Sequence, residues 1–170
     1  MPWQKLLEFD ARLSERIRVA ERPGWWRNLA VFFAHSGDSW FWLLALGFVW
    51  WLGDAGWKAR AITFASAIIV AAGIVFVIKF SVRRQRPAGD WGYVYRNTDP
   101  HSFPSGHATR AALLAVLAIG LGPTRLGVVL GIWAPLVILA RVAMGVHYLS
   151  DVIAGTMLGV LLGVASLLIL

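Results

Sequence analysis

Along the first twenty residues, Leu6, Phe9, Leu13, Ile17 and Ala20 recur at spacings of three or four, while Lys5, Glu8, Arg12, Glu15, Arg16 and Arg18 take the other faces. That periodicity predicts an amphipathic helix over 3–20, too charged to span a bilayer and suited to lie on its surface or on other protein. Arg22-Pro23-Gly24 then breaks it. Further on, the pattern changes from a stripe to continuous apolar runs. Residues 61–78 and 152–170 are uncharged, and each approaches the ~20 residues that a crossing helix needs. Two more runs cover 106–122 and 126–144. A fifth lies within 29–52 and is interrupted by His35, Ser36, Gly37 and Asp38. The connections at 53–60 and 120–126 are short, so neighbouring spans should be antiparallel. The predicted fold class is all-α: an integral membrane helical bundle of about five transmembrane helices, six if a further crossing hides within 1–52. An N-terminal interfacial helix (1–24) precedes it, and one domain covers 1–170.

Composition supports a membrane protein. Hydrophobic residues make up 58% of the chain and mean hydropathy is +0.65, above the usual share of a soluble domain. The chain has no Cys, which excludes disulfides and thiolate metal sites. A removable signal peptide is not expected, because no A-x-A-like site follows a short apolar core. Net charge is +7, but the basic residues sit at the ends of apolar runs rather than along one soluble face. Anionic headgroups and a phosphate substrate explain them better than nucleic acid does. Trp25, Trp26, Trp50, Trp51, Trp57 and Trp91 fall near span ends, as an interfacial aromatic belt would.

Three clusters carry the candidate chemistry: Lys79-x6-Arg86-Pro87, Pro104-Ser105-Gly106-His107, and Arg141-x5-His147-x3-Asp151. With five spans, all three reach one membrane face, together with the N-terminal helix. Lys79 and Arg86 are two helical turns apart, so a continuous helix would align them on one face with Arg83 between. Ser105 is a natural N-cap, and Gly106 admits close approach to the backbone. The helix start behind them offers unpaired amides to an anion, and His107 stands in its first turn. His147 and Asp151 are four apart, neighbours on a helical face. Asp151 can hold one ring nitrogen and leave the other free, the arrangement of an oriented nucleophile. Arg141 would face away from His147 on a continuous helix, so a break at Met144-Gly145-Val146 is expected. His35 and His101 lack a comparable partner and are read as structural or peripheral. No acidic cluster suited to a metal is evident, and the cations can neutralise a phosphoryl group themselves.

In these motifs the chain resembles the type 2 phosphatidic acid phosphatase (PAP2) family, whose site is shared with vanadium haloperoxidases. The third motif departs slightly, with Ala140 before Arg141 where the family often has Ser. The resemblance implies a metal-independent phosphatase of lipid phosphates or diphosphates, with no cofactor. Undecaprenyl diphosphate, phosphatidylglycerophosphate, phosphatidic acid and lipid A are the implied substrate types. It implies that His147 forms a phosphohistidine, that Asp151 holds it, and that His107 is the general acid. Lys79, Arg86, Ser105, Gly106 and Arg141 would bind phosphate oxygens. It also implies a bacterial-type cell membrane and an extracytoplasmic site, whereas Lys5, Arg12, Arg16, Arg18, Arg22 and Arg27 on the same side favour the cytoplasm. A lipid phosphotransferase and a non-catalytic anionic-lipid binder are the alternatives. Oligomeric state is not readable.

Overall fold

The computed structural model describes residues 2–89, 91 and 99–169. Seven helices run in order: α1 (Pro2–Ile17), α2 (Trp25–Ser36), α3 (Ser39–Leu52), α4 (Ala55–Val82), α5 (Gly106–Leu121), α6 (Thr124–Ala143) and α7 (Leu149–Ile169). Three of them, α4, α6 and α7, are long and apolar enough to cross a membrane, and α2 with α3, bent by 57°, passes the same test only as a pair, as a broken span or a re-entrant loop would. The bend falls in the stretch 35–38 whose polarity interrupts the first apolar run. α5 has 16 residues, about 24 Å at the helical rise and shorter than the hydrocarbon core.

α5 is the axis of the bundle. Ala108, Ala111, Leu113, Leu114, Leu117 and Ala118 are all buried, against Phe64 and Ile68 of α4 and Leu130, Ala134 and Val137 of α6. On the α7 side the fit depends on the buried glycines Gly155, Gly159 and Gly163. A Cβ on Gly155 would lie 2.5 Å from the Ser105 carbonyl oxygen, and one on Gly163 would lie 2.8 Å from Val116 Cβ. Small residues in this register let the two backbones touch, as membrane helices require where no hydrophobic effect draws them together. The contact is what brings Ser105 beside Asp151, whose carbonyl accepts from the Ser105 amide at 3.0 Å.

The α2–α3 bend is closed by polar contacts. Trp133 Nε1 donates to Ser36 Oγ and Trp42 Nε1 to the Ser36 carbonyl, both at 2.9 Å, and Arg110 donates to the Gly37 carbonyl. Backbone freed at membrane depth must find partners within the protein. Gly37 is dictated by space, since a Cβ there would come within 2.9 Å of Val137 and 3.1 Å of His107.

The apolar stripe of α1, Leu6, Phe9, Leu13 and Ile17, is exposed, while its polar residues hold the bundle. Asp10 accepts from the Ser150 amide at 3.0 Å, and Ser14 Oγ accepts from the Leu149 amide at 2.9 Å. α1 therefore sits at the α7 start with its greasy face outward, at the end of the bundle where α4 and α6 finish. The span ends are decorated as expected by exposed Trp25, Trp26, Trp50 and Trp51, but Trp91 packs on the buried cluster of Ala20, Ala30 and Met144.

One sequence expectation is corrected. Lys79 and Arg86 do not share a helical face, because α4 ends at Val82 and Arg83 takes a left-handed conformation (φ 52°). Past it the chain is extended: Gln85 pairs with His101, and the Ser102 amide donates to the Arg84 carbonyl at 2.8 Å. This return strand, rather than helix periodicity, brings Arg86 back over the bundle.

Candidate active site

Lys79 and Arg86 converge on a residue that the sequence did not single out. Lys79 Nζ lies 2.5 Å from Asp99 Oδ2 and donates to the His101 carbonyl at 2.8 Å. Arg86 Nη2 donates to the same Asp99 oxygen at 2.8 Å, and its Nε to the Asp99 carbonyl at 2.7 Å. Lys79 and Arg86 are buried, whereas the Asp99 side chain is 41% exposed. A part-exposed carboxylate thus occupies the donors of Lys79 and Arg86.

Arg86 also reaches His147, with Nη1 3.2 Å from Nε2. A guanidinium has only donors, so this contact leaves the lone pair on Nε2 and the proton on Nδ1. Nδ1 faces Asp151 Oδ2 at 3.6 Å, an ion-pair distance rather than a hydrogen bond. His147 precedes α7, so the pair meets across the helix start rather than on one helical face, a second correction to the spacing argument. Asp151 is the third residue of α7, and its Oδ2 accepts from the amide of Tyr148 at 2.9 Å, which is half of a capping box. Its Oδ1 accepts from Arg84 Nη1 at 2.7 Å, and Arg84 Nη2 continues to Asp10 of α1 at 2.7 Å. Burial, reinforced by the charges of Arg86, Arg141 and Lys79, pushes the proton affinity of His147 well below that of an ordinary imidazole. The ring is neutral near pH 7.

Arg141 ends α6 and is buried, with Nη1 3.4 Å from the Ala34 carbonyl oxygen. α6 stops at Ala143, and Gly145 turns the chain in a left-handed conformation (φ 63°), within the expected break at 144–146. The charge of Arg141 thereby acts on Lys79, His107 and His147 alike. Ser105 caps α5 and accepts from the Ala108 amide at 3.4 Å; Gly106 follows, facing the cavity. His107 Nε2 contacts Asp38 Oδ1 at 2.7 Å, so the bend between α2 and α3 supplies a carboxylate to the second histidine.

A cavity of about 300 Å³ joins these groups. Lys79, Asp99, Gly106, His107, Arg110 and His147 line its polar end, and Ile68, Ala72, Val75 and Phe76 its apolar wall. Of the eight residues singled out from sequence, Lys79, Gly106, His107 and His147 line this space; Arg86 and Asp151 approach His147, Ser105 caps the helix that Gly106 opens, and Arg141 is buried in the last turn of α6. Asp38, Arg84, Asp99 and Arg110 were missed. Their contacts join positions far apart in the chain, and of the four only Asp38 and Arg110 had a local signal, a charge inside an apolar run. Among the described residues no group of three His, Asp or Glu is placed to hold a metal ion.

Comparison with known proteins gives the family and the fold. The model of the PAP2 superfamily matches residues 60–170. The chain is 36% identical over 162 residues to the decaprenylphosphoryl-5-phosphoribose phosphatase of Mycobacterium tuberculosis, covering 92% of this chain and 86% of that protein. It is 29% identical to the lipid A 1-phosphatase of Rhizobium etli, covering 91% and 74%. Among solved structures, the PAP2-type phosphatidylglycerolphosphate phosphatase of Bacillus subtilis shares the fold, with a TM-score of 0.76 at 23% identity over 95% of this chain and 84% of that one. Aquifex aeolicus LpxE gives a TM-score of 0.70 at 26% identity, covering 92% and 93%.

Proposed function

Given that the chain belongs to the PAP2 superfamily, we propose that it hydrolyses the terminal phosphate of a membrane lipid phosphate or diphosphate through a phosphohistidine on His147. The observation that carries this reading is the contact of Arg86 with Nε2 of a neutral, buried His147, in a cavity shared with Lys79 and His107. The Nε2 lone pair attacks phosphorus, and the bond from phosphorus to the lipid oxygen breaks. Protonated His107, held by Asp38, gives its proton to that leaving oxygen. Arg86 passes from Nε2 to a phosphoryl oxygen as the nitrogen–phosphorus bond forms. Lys79, Arg141 and the amides at Ser105 and Gly106 complete the binding of the non-bridging oxygens, whose shared charge fixed cations stabilise. Water then attacks phosphorus, His107 takes its proton, and inorganic phosphate leaves with His147 neutral again. Asp151 stays ionised and steadies the ring by its charge.

The lipid enters sideways from the bilayer, with its chain along Ile68, Ala72, Val75 and Phe76 of α4. Undecaprenyl diphosphate, phosphatidylglycerophosphate, phosphatidic acid and lipid A are the substrate types weighed here; two relatives are named for a prenyl-linked phosphoribose and for lipid A. Phosphate release by purified protein from such a panel, with chelator present, is the test. Release that disappears in His147→Ala supports the reading; undiminished release by that variant refutes it. Release only when an alcohol acceptor is added would make the protein a transferase. We take the site to face the extracytoplasmic side of the cell membrane, a reading supported by the family resemblance and opposed by the charge of α1. Because the chain has no Cys, a single cysteine introduced on α1 and probed with an impermeant thiol reagent in intact cells decides the side.

A further inference from the structure

The cavity contains one cation that phosphate transfer at His147 does not use. Arg110 lines it from α5, three residues after His107, and donates to the Gly37 carbonyl. It lies four residues past Gly106, or ~6 Å deeper along the helix. A part-buried arginine within an apolar helix is costly and is retained where it meets a partner or a substrate; the carboxylate of Asp38, in the same bend as Gly37, attracts it. The Gly37 contact engages one of the five N–H groups that a guanidinium offers.

Charge points the same way. Lys79 and Arg110 both line the cavity; the phosphoryl group would take Lys79 from the part-exposed Asp99, and a second anion on the substrate would meet Arg110.

Geometry orders the two anions. α4 lines the cavity from Lys79 down through Phe76, Val75 and Ala72 to Ile68, eleven residues or ~16 Å. The phosphoryl group at Lys79 and His147 is uppermost, Arg110 comes a turn lower, and the apolar wall lies beyond. We propose that Arg110 is a specificity-determining residue that binds a phosphodiester placed between the cleaved phosphomonoester and the lipid chain. This rests on the lipid-phosphatase reading above. The substrate class is a lipid whose two phosphates are separated by a spacer the length of a glycerol or ribose unit.

Phosphatidylglycerophosphate and phosphatidic acid with identical acyl chains differ by that diester and spacer. In mixed micelles, the wild-type protein should prefer the former, and Arg110→Met should lower the ratio of their kcat/KM values by about 10- to 100-fold, the value of one or two charged hydrogen bonds. Arg110→Lys should restore part of the ratio. Equal losses on both lipids would make Arg110 a tie for the α2–α3 bend only and overturn the proposal. A wild-type preference for phosphatidic acid would overturn it too. No release from either lipid would instead sink the phosphatase reading itself, and this inference with it. A measurement on wild-type protein guards against a variant that does not fold: phosphatidylglycerol, which keeps the diester, should inhibit phosphatidic acid turnover more strongly than diacylglycerol. Equal inhibition by the two speaks against a diester site.

Discussion

Arg84 stands between α1 and the carboxylate beside His147, and replacing it with Met tests whether Asp151 acts by its charge. In Arg84→Met the guanidinium is lost from Asp151 Oδ1, 2.7 Å away, and from Asp10. Asp151 is fully buried and Arg84 is 16% exposed, so this is a buried pair with one partner removed. Such a loss costs ~3–5 kcal/mol, because the remaining charge keeps its desolvation penalty. The Tyr148 amide still holds the other oxygen. If half of the loss reaches the transition state, kcat falls by about 10- to 100-fold. KM should change by less than about threefold, since Lys79 and Arg86 are untouched. Steady-state phosphate release measures both, and a melting curve separates unfolding from mispositioning. Arg84→Lys should recover part of kcat, whereas Asp10→Asn, which spares the Arg84–Asp151 pair, should cost less than Arg84→Met. Wild-type kcat in a folded Arg84→Met protein would refute the idea that a charged, oriented Asp151 matters.

Two other substitutions bear on the site. Asp99→Asn removes the carboxylate that competes for Lys79 and Arg86, so inorganic phosphate should inhibit about 5- to 30-fold more strongly, a modest gain because Asp99 is partly exposed. Unchanged or weaker inhibition would mean that Asp99 positions the cations rather than shielding them. Asp38→Asn withdraws the carboxylate that faces His107 and favours its protonated form, and turnover of a lipid alkoxide should fall by about 10²-fold or more. An aryl phosphate, whose leaving group needs no proton, should be affected far less; equal loss on both substrates would remove His107 from the acid role.

Much of the site could be read from the chain because its cations and histidines fall into short motifs at the ends of apolar runs, where charge is conspicuous. Spacing worked where an element is local, as at the Ser105 cap and the turn around Gly145. It failed where a helix ended without warning: Arg83 takes a left-handed conformation with no glycine to announce it, so Arg86 arrives by an extended segment. His147 likewise stands just ahead of α7, and its relation to Asp151 comes from a helix start. The partners that tune the site, Asp38 for His107, Arg84 for Asp151 and Asp99 for Lys79, are 69, 67 and 20 residues away in sequence. Nothing in a single chain's periodicity encodes such pairings; they follow from how the helices pack.

The central position of α5 bears on how the protein is made. Its sixteen residues include His107 and Arg110, and it is not among the helices long and apolar enough to cross a membrane unaided. Almost all of its side chains meet protein rather than lipid. During synthesis, therefore, α5 has little reason to leave the translocon alone. It needs α4 already in place to accept it, and α6 and α7, which follow, to enclose it. The two histidines come together only in that last step, so the nascent chain is in the bilayer before it can be an enzyme.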